Sequence, residues 1–160
     1  SIAAGVLVFF SSRDGLIIAA TLELLAGGGY HALTMTDVAS RAGVSKATLY
    51  RRWKAKEDLV ADAVATVSFN DPPRYPGTSL RDDLLALMEQ AGDCEDRSEV
   101  VTATWEIARS HPDLYRASSE RFGGFVRAEL ENLAKRAVDE GFEPLSEVGL
   151  DTLADTVVAL

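Results

Sequence analysis

Ile17, Ala20, Thr21, Leu24 and Leu25 recur at alternating offsets of three and one, which is one face of a 3.6-residue repeat and predicts a first helix. The Gly27-Gly28-Gly29 run predicts the end of that helix, because glycine breaks propagation and supplies left-handed conformations. Tyr30 and Leu33 follow as anchors of a connection. Thr34 or Thr36 can cap the next helix, whose apolar positions are Val38, Ala39 and Ala42. Gly43-Val44 predicts a turn, and Ser45 caps a third helix running through Leu49 to about Trp53. Glu57 and Asp58 mark the start of a fourth helix, where acids favour the dipole, and Leu59, Val60, Ala63, Val64 and Val67 give it an apolar side.

Three prolines and a glycine between Asp71 and Gly77 predict a linker. Helical patterns resume at 80–91 (Leu84, Leu85, Leu87, Met88) and at 100–109 (Val101, Trp105, Ile107, Ala108). His111-Pro112 disfavours helix at His111. Phe122, Phe125, Val126, Leu130, Leu133 and Val138 predict a long helix ending near Gly141. A last apolar run (Val148, Leu150, Leu153, Val157, Val158) reaches Leu160 without a stop signal, so the natural chain is expected to continue or a helix end to be missing. There is no repeat and no strong strand pattern. The fold class expected is all-α.

The segment 34–53 meets the requirements of a helix-turn-helix. Two helices crossing closely need a small residue, Ala39. A sharp turn needs a residue free to take positive φ, Gly43, four positions later. An apolar residue seals the corner, Val44, and the second helix turns Leu49 inward, while Val38 adds core. Ser45, Lys46, Thr48, Arg51 and Arg52 then face outward on the helix whose N-terminal residues meet base edges in such motifs.

Charge changes how this is read. The net charge of −9 looks wrong for a nucleic-acid binder. The first 60 residues, however, carry seven Lys/Arg against five Asp/Glu, and the other 100 carry nine against twenty. Arg41, Lys46, Arg51, Arg52, Lys54 and Lys56 follow one another with no intervening acid. A local basic patch attracts phosphates, and acidic surface elsewhere stays off the polyanion.

The run from Gly29 to Val60, GYHALTMTDVASRAGVSKATLYRRWKAKEDLV, resembles the DNA-binding domain of the tetracycline-repressor (TetR) family of bacterial transcription regulators. The resemblance covers about 17–64. It implies that Thr34 or Thr36 touches a phosphate, that Ser45, Lys46 and Thr48 face the groove, and that Tyr50 bonds a phosphate through its hydroxyl; Arg51, outward on the same helix, joins the DNA-binding candidates. It also implies that Lys56 lies near the backbone at the head of the fourth helix and that Trp53 packs between the third and fourth helices. For the rest of the chain it implies a variable helical domain that binds a ligand and dimerises. Family members commonly carry basic residues before the first helix, and this chain offers only Arg13.

Four parts are therefore expected: an apolar extension at 1–12, a helix-turn-helix DNA-binding domain at 13–67, a linker at 68–79 and a helical regulatory and dimerisation domain at 80–160. Ile2–Phe10 is too short to span a bilayer, which needs about 20 apolar residues, and has no basic leader. Leu87, Met88, Trp105, Arg109, Phe122 and Phe125, with Tyr115, Glu106 and His111, are candidates for a ligand pocket; residues at helical spacing also serve simply as core. His31 and His111 stand 80 positions apart with no HExxH pattern, so no metal site is expected. No phosphate loop or nucleophile elbow is present, so no catalytic residue and no cofactor are assigned. The single Cys94 excludes an internal disulfide and fits a reducing cytoplasm. The function expected is a cytoplasmic homodimeric repressor, released from a palindromic operator by a small apolar effector, with no membrane partner. The alternatives are a helical interaction or small-molecule-binding protein without enzymatic activity, or an activator of the same fold.

Overall fold

The computed structural model describes residues 12–67, 74–90, 98–144 and 146–159. Among them there are eight helices and no strand: α1 Ser12–Ala32, α2 Met35–Ala42, α3 Lys46–Arg52, α4 Lys56–Ala65, α5 Leu80–Gln90, α6 Ser98–Ser110, α7 Pro112–Asp139 and α8 Glu147–Ala159. The expected apolar extension (1–11) and the first half of the linker (68–73) lie outside the described residues, as do Cys94 and Leu160. Ser12 opens α1 instead of closing the extension.

The glycine run interrupts α1 as expected, at its last member, and a further short turn follows. Gly27 and Gly28 keep helical geometry, and Gly29 alone departs, at φ 74° and ψ 178°, a positive φ that glycine takes without a steric penalty. The chain resumes helix to Ala32 because the kink sends Tyr30 and then Leu33 into the core, where both are buried. Burial of two large side chains outweighs the helix cost of glycine, about 1 kcal/mol per residue.

The larger core joins Ile17, Ile18, Leu22 and Leu25 of α1 to Val38 and Ala39 of α2, Leu49 of α3, Trp53, and Leu59, Val60 and Ala63 of α4. It does not stop at the expected domain boundary. Val100, Ala103 and Ile107 of α6 and Leu114 of α7 belong to the same cluster. The linker separates two parts in sequence but not in packing. A second, smaller core gathers Leu87 of α5, Val126, Leu130 and Leu133 of α7 and Ala154 of α8. Between them α7 runs for 28 residues and contributes to both.

Polar contacts pin the second half of the expected linker to the helices that follow. Buried Asp83 accepts from the Gly77 backbone N–H at 2.8 Å and pairs with Arg136 of α7 at 2.7 Å. The Tyr75 hydroxyl donates to Glu129 at 2.6 Å, and burial together with that carboxylate pushes the phenol's pKa well up.

Two substitutions separate backbone from packing contributions. Gly43 has φ 67° with open space where a Cβ would stand, so Gly43→Ala should cost about 1 kcal/mol through conformation alone. Leu49 is fully buried, so Leu49→Ala should cost about 2–5 kcal/mol. Urea denaturation of both variants checks the ranking; an equal cost would contradict it.

Candidate nucleic-acid interface

The turn between α2 and α3 is built by four backbone devices. Thr34 caps α2, its hydroxyl oxygen accepting from the Asp37 N–H at 3.1 Å, while Thr36 lies exposed in the first turn. At the other end, the Gly43 N–H donates to the Ser40 carbonyl and the Val44 N–H to the Ala39 carbonyl at 3.0 Å. This paired closure is the Schellman arrangement, which satisfies carbonyls left over by the helix. Val44 then packs against the core. Ser45 caps α3 by accepting from the Thr48 N–H at 3.1 Å, and its hydroxyl also meets that of Thr48 at 3.0 Å.

With Leu49 buried below, α3 presents Lys46, Tyr50 and Arg51 to solvent, with half-buried Thr48 beside the Ser45 cap. The cationic run seen in sequence is not uniformly free in space. Arg41 pairs with Glu23 of α1 at 2.7 Å, and Arg52 pairs with Asp14 at 3.3 Å while lying 5.1 Å over the Trp53 ring. Lys54 donates to the Tyr50 carbonyl at 3.2 Å, and Lys56 stands 4.2 Å over the Tyr30 ring. Among the described residues, Lys46 and Arg51 have no carboxylate partner. Glu23 and Asp14 precede the basic run by many positions, so no local reading of charge reveals them.

Trp53 is 2% exposed and closes α3, its backbone N–H donating to the Leu49 carbonyl at 3.0 Å. It lies against α4, and its indole Nε1–H donates to the Asp62 carboxylate at 2.7 Å. A buried indole needs an acceptor. An acid between Ala61 and Ala63, in the otherwise apolar run 59–65, was the available signal for it.

Below the interface, Tyr30 donates to Glu57 Oε1 at 3.1 Å, and burial first, then the Glu57 charge, push its pKa up to about 12. Its ring is 4.5 Å from that of His111. His31 and His111, remote in sequence, sit with ring centroids 5.1 Å apart. Among the described residues, no three His, Cys, Asp or Glu side chains converge as a metal-binding group.

The pocket candidates do not form one site. A cavity of about 290 Å³ between α4, α6, α7 and α8 is lined by Trp105 and Phe122, with Tyr115 of the wider candidate set and Val64, Val67 and Val158, which the sequence pattern marks only as apolar helix positions. Leu87 is fully buried in the second core, where it fills space between helices. Met88 opens onto a separate apolar groove with Leu85 and Phe142. Phe125 packs against the second core, and Arg109 is exposed on α6.

Residues 17–63 match the family model of bacterial regulatory proteins, tetR family. An uncharacterized HTH-type transcriptional regulator of Mycobacterium tuberculosis is 35% identical over 137 residues, which cover 82% of this chain and 66% of that relative. The DNA-binding transcriptional repressor TetR of Mycobacteroides abscessus is 35% identical over 108 residues, covering 66% of this chain and 52% of the repressor. A solved structure of a Pseudomonas aeruginosa PAO1 protein assigned as a transcriptional regulator overlays with a TM-score of 0.50 at 23% identity, covering 92% of this chain and 74% of that one, a likeness of fold. The chain belongs to the tetR family of bacterial regulatory proteins, whose members are transcriptional regulators and not enzymes. It spans 66% of the length of the M. tuberculosis relative.

Two measurements follow from this geometry. Lys46→Ala and Arg51→Ala should each weaken binding to duplex DNA, and removing one cation from a phosphate should flatten the slope of log affinity against log salt by about one. Arg41→Ala should matter less, because Glu23 already offsets that charge. Fluorescence anisotropy at several salt concentrations reads both; undiminished binding in the Lys46 and Arg51 variants excludes α3 as the contacting helix. For Tyr30, the folded pKa of about 12 exceeds the ordinary value of 10.0. Its contribution to stability is therefore complete below pH 10 and is lost as pH rises toward 12. Tyr30→Phe should flatten that alkaline decline in a denaturation series.

Proposed function

We propose that the protein is a homodimeric transcriptional regulator that binds a palindromic DNA operator through α2 and α3 and is released by a small effector. The observation that carries this reading is the exposed, doubly capped α3, with Lys46 and Arg51 unpaired by acids among the described residues. Thr34 and Thr36 at the head of α2, Ser45 and Thr48 at the head of α3, Tyr50, and Lys56 at the head of α4 complete the proposed contact set. One seven-residue reading helix covers little DNA. Pairing two of them about one duplex turn apart supplies the missing surface. Val148 of α8 is exposed and suits a partner's apolar face.

The effector site proposed is the cavity between α4, α6, α7 and α8. Its body is apolar, and its hydroxyls have a definite polarity. Thr104, Ser118 and Ser119 each donate their proton to the carbonyl four residues back, leaving oxygen lone pairs toward a ligand. Among the described residues, no charged side chain lines it. This chemistry suits a neutral, mainly apolar molecule carrying a hydroxyl or N–H donor. Such a ligand weakens DNA binding by the difference in its affinity for the DNA-competent and incompetent conformations. The repressor sense has support in the likeness to the M. abscessus repressor. The activator FasR of Mycolicibacterium smegmatis shares 43% identity over 47 residues, 29% of this chain and 22% of the activator, so the same reading surface is compatible with either sense. The protein acts in the cytoplasm.

Selection of duplexes from a random-sequence pool should recover an inverted repeat, and sedimentation should give two protomers per duplex. Neutral phenols and alcohols should then lower affinity for that duplex, and Phe122→Trp, which fills the cavity, should blunt their effect. No enrichment of any sequence would count against DNA reading. No response across the ligand panel would count against regulation at this cavity.

A further inference from the structure

The neighbourhood of Asp62 ties the reading helix to the helices beyond the linker by side chains that neither DNA nor effector binding requires. The Trp53 indole donates to Asp62 Oδ2 at 2.7 Å. The other carboxylate oxygen, Oδ1, lies 2.7 Å from Arg121 Nε of α7. Arg121 also reaches Asp58 Oδ1 at 3.6 Å and donates to the Ala117 carbonyl. Asp62 is 17% exposed and Arg121 35%, so the carboxylate is largely shielded while its partner stays in part open to solvent. A carboxylate held by an indole on one oxygen and a guanidinium on the other has little rotational freedom.

We infer that Asp62 is a positioning residue that fixes the C-terminal end of α3 against α7, with Arg121 as its anchor. Trp53 closes α3, so the indole bond constrains the helix end directly. Arg121 precedes Phe122, a wall of the proposed effector cavity, and lies one turn after Ala117 and Ser118 on the same helix. A movement of that turn of α7 is passed to Asp62 and on to Trp53. The regulatory consequence rests on the DNA-binding reading; the mechanical link does not.

Hydrogen exchange on the whole protein tests the link without DNA. Arg121→Met keeps the length of the stem and removes the charge. It should speed amide exchange in 46–53 about tenfold, with 17–25 of α1 unchanged. Asp62→Asn, which keeps an acceptor for the indole, should do the same, and the double variant should be no worse than Arg121→Met alone. Arg121→Lys should restore most of the protection. Unchanged exchange in 46–53, or equal acceleration throughout 17–63, overturns the inference, the second by showing a general loss of stability. In parallel, affinity is measured for a duplex recovered by selection and for a random-sequence duplex. Arg121→Met should weaken the first more than the second, and an equal loss overturns selective positioning of α3. Should the unaltered protein bind neither duplex, the DNA-binding reading fails and hydrogen exchange alone decides the link.

Discussion

A helix of seven residues has almost no stability of its own in water, since isolated helices shorter than about 12–15 residues are marginal. Everything about the reading surface depends on how α3 is held in spite of that. Ser45 satisfies amides at one end, Trp53 closes the other, and Leu49 is buried between them. The outward side chains are thereby placed by residues that do not face the DNA. The fixed orientation of Lys46 and Arg51 is a property of the core and the caps, and only then of the helix.

The electrostatic picture has the same layered character. A protein of net charge −9 concentrates cations on one segment, and then α1 supplies Glu23 and Asp14 to two of them. What remains is a narrower positive field centred on α3. Pairing Arg41 and Arg52 holds α1 against the motif and limits indiscriminate attraction to any polyanion. Exposed pairs of this kind contribute little stability individually, about 0–1 kcal/mol, so their effect on field shape is the larger one.

The helix-turn-helix was legible because its constraints are local. Ala39, Gly43, Val44, Ser45 and Leu49 fall within eleven residues, and each meets a requirement of geometry that its neighbours imply. The glycine run marked the break at Gly29 but not the further turn to Ala32, which forms where Tyr30 and Leu33 find a core to enter. The His31–His111 approach, the Arg41–Glu23 pair and the Asp62–Arg121 pair join residues 18 to 80 positions apart, and no periodicity carries that information. The ligand side was least legible. Apolar residues at helical spacing, such as Leu87 and Trp105, look alike until packing assigns one to a core and the other to a cavity wall.

The shared core has a bearing on modularity. Val100, Ala103, Ile107 and Leu114 complete the hydrophobic interior of the N-terminal part across the linker. Cutting the chain at the prolines would leave an apolar wound on α1 and α4, and joining residues 12–67 to an unrelated helical domain would not heal it. A functional chimera must carry those four side chains, or equivalents of the same volume, along with the reading head. The same dependence means that a change in the buried face of α6 is felt in the helix-turn-helix part, so the two halves are free to diverge only in step.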